Sequence, residues 1–124
     1  MLGENYKVQE KEIWQGRVDS ESNYYSYRWH QVVEIINLNA PDLTPFSGKL
    51  GFALIGFCCD EGVKKNKGRA GAAKGPESIR SELANLPCSF SGEVKLFDAG
   101  NIYCEYISLE ESQQLLSETV KKIM

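Results

Sequence analysis

Leu50-Gly-Phe-Ala-Leu-Ile-Gly-Phe-Cys-Cys-Asp-Glu-Gly-Val-Lys-Lys-Asn-Lys-Gly-Arg-Ala-Gly-Ala-Ala-Lys-Gly-Pro-Glu-Ser-Ile-Arg80 decides the fold. Its first nine residues are apolar or glycine, and turn residues bound them. Such a run reads as a strand buried on both faces, as in a parallel sheet. Gly51 and Gly56 inside it predict close approach of a packed element. A Gly- and Lys/Arg-rich loop follows, from about Cys59 to Gly75. Gly75-Pro76-Glu77 then opens a helix. Proline suits the first helical turn because its missing N–H would go unpaired there anyway. Glu77 sets negative charge at the positive end of the helix dipole. The loop therefore leaves the carboxyl end of a strand, where open α/β sheets hold their ligands.

Downstream, Ile79, Leu83 and Leu86 predict the inward stripe of that helix, and Pro87 its stop. Ser89 to Glu93 read as a turn and Val94 to Ala99 as a second strand, with Asp98-Ala-Gly100 as its terminating turn. Ser108-Leu-Glu-Glu111 has the form of a capping box. Leu109, Leu116, Val120 and Ile123 then keep helical spacing. Upstream, Trp29, Val32, Val33 and Ile36 predict an amphipathic helix from about Ser26 to Leu38. Residues 1–23 read as polar and irregular, and residues 39–49 as a loop with Pro41, Pro45 and Gly48. The order is an N-terminal helix and then β-α-β-α, which implies an α/β fold with a parallel sheet. Two parallel strands alone leave unpaired edges, so the chain reads as the first part of a larger domain or as a self-associating one. Residues 1–49 are expected to be an N-terminal extension, and residues 50–124 the first two βα units of an incomplete domain.

The chain of 124 residues has a net charge of −3. A general nucleic-acid binder would be basic, so that class is not expected. No run of about 18 apolar residues suggests a membrane span, and the start lacks a signal-peptide core. Cys58, Cys59, Cys88 and Cys104 show no Cys-x-x-Cys spacing, and a reduced cytoplasmic protein with buried thiols is expected.

Lys64, Lys65, Lys67, Arg69, Lys74 and Arg80, with Gly68, Gly71 and Gly75, have the makings of an anion cradle. The phosphate-loop and dinucleotide glycine patterns are both missing, so a nucleotide is not indicated; the plain alternative is a solvated basic loop. His30 is the only histidine and reads as structural or surface. No cluster has metal-ligand spacing, and one histidine supports no Ser-His or Cys-His constellation. Asp98 either faces the loop's crevice or simply ends a strand. The aromatic set Trp14, Tyr24, Tyr25, Tyr27 and Trp29 reads as packing onto the sheet or onto a partner subunit.

Phe57-Cys-Cys-Asp-Glu-Gly-Val63 and Asn66-Lys-Gly-Arg-Ala-Gly-Ala-Ala-Lys-Gly-Pro-Glu-Ser-Ile-Arg80 resemble the first βα unit of the arginase (ureohydrolase) superfamily. Trp14-Gln-Gly-Arg-Val-Asp19, His30-Gln-Val-Val33 and Asp98-Ala-Gly-Asn-Ile102 agree, and the first of these is similar to the formimidoylglutamase branch. The resemblance implies the N-terminal portion of a three-layer α/β/α, mostly parallel-sheet fold. It implies hydrolysis of N-formimidoyl-L-glutamate to L-glutamate and formamide, a step of histidine degradation. The implied cofactor is a pair of Mn²⁺ ions that activate a hydroxide. The family's ligand motifs, Gly-Gly-Gly-His-Glu, Asp-Ala-His-x-Asp and Asp-x-Asp-x-x-Asp, do not occur here. No catalytic or metal residue is therefore assigned, no metal is expected in this segment, and the segment alone is expected to be inactive. Asn66 and Arg69 are expected at the substrate side, with Arg69 facing the glutamate carboxylate or bracing the loop. The expected partners are a small amidine substrate and further copies of the chain, without nucleic acid or membrane. The alternatives are a truncated, non-catalytic interaction module, an agmatinase- or arginase-like ureohydrolase, or a generic anion-binding α/β protein.

Overall fold

The computed structural model describes residues 2–41, 43, 46–48, 50–60, 71–88 and 94–124. The regular elements are β1 (Tyr6–Lys7), α1 (Trp29–Val32), β2 (Glu34–Ile35), β3 (Leu50–Cys58), α2 (Gly75–Leu83), β4 (Val94–Tyr103) and α3 (Leu109–Ile123). Single 3-10 turns lie at Lys11–Ile13, Tyr24–Ser26 and Ala72–Lys74.

β4 is the spine of one four-stranded sheet. β3 runs parallel to it from Leu50↔Val94 to Cys58↔Tyr103. On the opposite edge of β4, β2 pairs parallel at Ile35↔Asp98 and β1 pairs antiparallel at Tyr6↔Ile102. The β-α-β-α order expected from the hydrophobic pattern is present, and the sheet is mixed because β1 joins it in reverse.

β4 is longer than its predicted span. Asp98-Ala-Gly100 does not end the strand; it carries a bulge. The register with β3 shifts by one residue between Leu54 and Gly56, and Gly100 absorbs it at φ 95°. A side chain there would meet the Lys7 carbonyl oxygen at 2.5 Å. Glycine thus allows both the bulge and the close passage of β1.

The predicted helix from Ser26 to Leu38 is one turn only. Gln31 starts it, accepting from the Arg28 N–H through Oε1 at 2.9 Å. The next residues, Val32-Val33-Glu34-Ile35-Ile36, are mostly β-branched, which favours extended backbone. The open edge of β4 then captures them, and the Ile36 N–H donates to the Asp98 carbonyl at 2.9 Å.

The two longer helices cover opposite faces of the sheet. Ala53, Ile55 and Phe57 pack with Leu115, Leu116 and Ile123 of α3 around buried Leu2, Tyr6, Leu38, Ala99 and Ile102. Gly56 has the opposite parity, and a side chain on it would strike Pro76 of α2. α3 is capped as expected, Ser108 Oγ accepting from the Glu111 N–H at 3.1 Å. Val120, predicted inward, is exposed, and buried Ser112 and Thr119 stand on the inner face instead. Their hydroxyls donate to the carbonyls of Ser108 and Leu115, so nothing polar is stranded there.

The inner face of α2 also differs from expectation. Ile79 and Leu86 are exposed, while Arg80 and Ala84 are buried. Nor is β3 buried on both faces, for Leu50 and Phe52 are about half exposed. Among the described residues its outer edge pairs with no strand.

The cysteines depart from the all-thiol expectation. Cys59 and Cys104 form a disulfide with a Cα–Cα distance of 5.4 Å. The parallel register pairs Cys58 with Tyr103, so the next residue on each strand lies beside the other. Cys58 and Cys88 are free and half-buried. The turn predicted at Ser89–Glu93 lies outside the described residues.

Candidate functional site

The chemistry-bearing residues converge where α2 crosses the carboxyl half of β4. Arg80 sits one turn past Pro76 and points into the sheet, 3% exposed. Its guanidinium grips Asp98 with two parallel bonds, Nε to Oδ2 and one terminal nitrogen to Oδ1, both at 2.8 Å. That terminal nitrogen also donates to the Gly100 carbonyl at 2.9 Å, and the other donates to Asn101 Oδ1 at 2.6 Å.

Asp98 is fully buried. Oδ2 also accepts from the Trp14 indole Nε1–H at 2.7 Å, and Oδ1 from the Gly100 N–H at 3.0 Å. Its acceptor sites are thus filled, as a buried carboxylate requires. Asn101 Nδ2 passes the network on to Gln9 Oε1 at 2.9 Å. Cys58 Sγ lies 3.6 Å from Asn101 Oδ1, and burial raises the Cys58 thiol above its ordinary pKa. Gly56 makes room for all of this, since a side chain there would stand 2.0 Å from Asn101 Oδ1 and 3.0 Å from an Arg80 nitrogen.

The N-terminal segment closes over the same region. Gly16 lies against Asn85, where a side chain would overlap the amide, and the Arg17 N–H donates to Asn85 Oδ1 at 2.9 Å. Arg28 bridges Asp19 at 2.9 Å and also donates to the Asn85 carbonyl. The His30 Nε2–H donates to the Arg17 carbonyl at 2.8 Å, a structural role as expected.

This arrangement corrects two readings. Arg80 is not part of an anion cradle, because four of its N–H bonds are already engaged within the protein. Asp98 does not face a ligand crevice; it is the buried counter-charge of Arg80. Lys64, Lys65, Asn66, Lys67 and Arg69 lie outside the described residues. The described end of that loop is tied back by Asp60, whose Oδ2 accepts from the Gly71 N–H at 3.2 Å.

Sequence reasoning missed the bond from Trp14 to Asp98, and the roles of Gln9 and Asn101. A signal for it existed: an aspartate between Phe97 and Ala99 in an apolar strand needs a buried partner. Among the described residues no group of three or more His, Cys, Asp or Glu could hold a metal ion. With Asp98 saturated and His30 Nε2 committed to a carbonyl, the described donors do not fit a two-manganese centre. No described helix is long and apolar enough to cross a membrane.

Comparison with known proteins places this network in context. The model of the Arginase family matches residues 50–124. A Formimidoylglutamase of Clostridium tetani is 66% identical over 124 residues, all of this chain and 37% of that protein. One from Lysinibacillus sphaericus is 44% identical over 96% of this chain and 36% of its own length. One from Streptococcus gordonii is 47% identical over 83% of this chain and 31% of its own. The chain therefore spans about a third of the length of the curated relatives it matches. No solved structure matches. The match over β3, α2, β4 and α3 shows that the chain belongs to the arginase family.

Proposed function

We propose that this chain is the N-terminal segment of a manganese-dependent formimidoylglutamase, which hydrolyses N-formimidoyl-L-glutamate to L-glutamate and formamide in histidine degradation. The observation that carries the reading is the 66% identity, over every residue of the chain, to a protein of that name. It includes residues 1–49, which the family model does not cover. In this reading residues 1–49 are an extension braced on the first two βα units, residues 50–124. The segment supplies framework: the Arg80–Asp98 pair fixes α2 on the sheet, and α2 fixes the end of the preceding loop. Asn66 and Arg69 on that loop serve the substrate side.

The metal ions, when bound by the complete enzyme, supply the activated hydroxide. The 124-residue segment has none of the family's ligand motifs, so alone it is inactive and retains no Mn²⁺. The complete enzyme is cytoplasmic and homo-oligomeric in this reading, with a small amidine as its partner and neither nucleic acid nor membrane.

The test is an assay of glutamate and formamide release from N-formimidoyl-L-glutamate, with agmatine and arginine as competitors. The complete Mn²⁺-loaded enzyme is expected to prefer the first substrate, and the segment to turn over none. Preference for agmatine or arginine would move the protein to another ureohydrolase branch. Turnover or two tightly bound Mn²⁺ in the segment would overturn its assignment as framework.

A further inference from the structure

We propose that Cys59 and Cys104 are a reversible dithiol–disulfide pair that locks together the carboxyl ends of β3 and β4, with a low-molecular-weight disulfide as the oxidant. The pairing follows from the sheet itself. β3 and β4 run parallel with Phe57↔Ile102 and Cys58↔Tyr103, and the next residue on each is a cysteine. Their Cα atoms lie 5.4 Å apart, within the range a disulfide spans without moving backbone. Both residues are partly exposed, so a small disulfide can reach them.

The other two thiols are poorer competitors. Cys58 is turned towards Asn101, and burial holds its thiol protonated. Desolvation does the same to Cys88, which lies past α2 on a different part of the surface. Exchange requires a thiolate and access, so reaction is directed to the pair at the strand ends.

The position gives the lock a consequence. Cys59 is the first residue after β3, and Asp60 beside it holds the Gly71 N–H where the chain returns towards α2. Carboxyl strand ends carry the ligand side of open α/β sheets. The bond also closes a loop of 45 residues that contains all of α2. Oxidation therefore stiffens the frame from which the β3–α2 connection departs.

The chemistry balances. One cysteine thiolate attacks a sulfur of the small disulfide and expels one small thiolate. The partner cysteine attacks the protein-side sulfur of the mixed disulfide and expels the second. Two protein thiols are oxidised, one disulfide is reduced to two thiols, and the two protons go with them.

The experiment equilibrates the purified protein with mixtures of reduced and oxidised glutathione, quenches in acid, alkylates, and maps cysteines by mass spectrometry. The expected result is loss of two hydrogens, located on a Cys59–Cys104 cross-link and reversed by excess reduced glutathione. Cys59→Ser and Cys104→Ser each abolish it, while Cys58→Ser and Cys88→Ser leave it. Amide exchange at Phe57 and Tyr103 is expected to slow several-fold in the oxidised form. No cross-link at any ratio, or one through Cys58 or Cys88, overturns the pairing. A cross-link that reduced glutathione cannot open overturns its reversibility. Equal amide exchange in both states overturns the lock.

Discussion

The indole Nε1–H of Trp14 donates to Asp98 Oδ2 at 2.7 Å across 84 residues of chain. Asp98 belongs to the part of the chain that the arginase-family model matches, and Trp14 lies before it. A donor that precedes the matched region thus completes the buried pair inside it. Without that donor, one lone pair of a fully buried carboxylate loses its partner.

Trp14→Phe keeps most of the apolar contact and removes the hydrogen bond. A bond to a charged group contributes roughly 1.5–3 kcal/mol, and the variant should lose stability on that scale. The urea midpoint should fall with the slope unchanged. An unchanged midpoint would mean that water replaces the indole without cost.

Arg80→Met should cost more, about 3–5 kcal/mol, because it leaves Asp98 buried and uncompensated. Adding Asp98→Asn should recover part of that loss, since the stranded charge is then gone. A double-mutant cycle measures this coupling. Simple addition of the two losses would show that the pair is not energetically linked.

Much of this frame was legible in the sequence. Leu50 to Cys58 announced β3 by its unbroken apolar run, Gly75-Pro76 announced the start of α2, and Ser108 announced α3. These signals are local. Arg80 was misread because a charged residue ordinarily marks an outer helix face, and here the inner face was chosen by a partner 18 residues away. Val32 to Ile36 satisfied helical spacing and β-propensity at once, and only the free edge of β4 decided between them. Gly100 looked like a strand end because glycine marks turns and bulges alike. The proposed substrate-side role of Asn66 and Arg69 rests on resemblance alone, because both lie outside the described residues.

Gly100→Ala tests the bulge. The residue sits at φ 95°, and an added methyl meets the Lys7 carbonyl oxygen. Strain of this kind costs on the order of 1–3 kcal/mol. Amide exchange should accelerate at Tyr6 and Lys7, whose strand must move away. Protection equal to the parent protein would place the strain elsewhere.

Arg69→Ala tests the proposed substrate contact in the complete enzyme. If Arg69 binds the glutamate carboxylate, KM should rise about 10- to 100-fold, the equivalent of one lost charged hydrogen bond. Lysine should rescue only part, because it lacks the paired donors. Lost thermal stability with an unchanged KM would assign Arg69 to bracing the loop.

Tyr6 makes stability depend on alkaline pH. Its hydroxyl donates to the Ala99 carbonyl at 2.5 Å and accepts from the Leu38 N–H at 3.1 Å. Burial is the main force raising its pKa; the Leu38 bond opposes this, and the charge of Asp98 adds to it. A phenol titrates near 10 in the unfolded chain. Above that pH the unfolded state releases a proton that the folded state keeps, so the folded state binds more protons and stability falls as pH rises. The contribution is fully present below about pH 10 and is lost as pH climbs through the raised folded value. Tyr6→Phe removes the titration, together with an acceptor for Leu38 and a donor to Ala99. It should therefore be less stable at pH 7, by about 1–3 kcal/mol for the stranded groups. Its stability should then decline less steeply between about pH 9 and pH 11 than the parent's. Urea midpoints measured across that range decide the matter, and parallel curves for the two proteins would show that Tyr6 ionises in the folded state as readily as in the unfolded one.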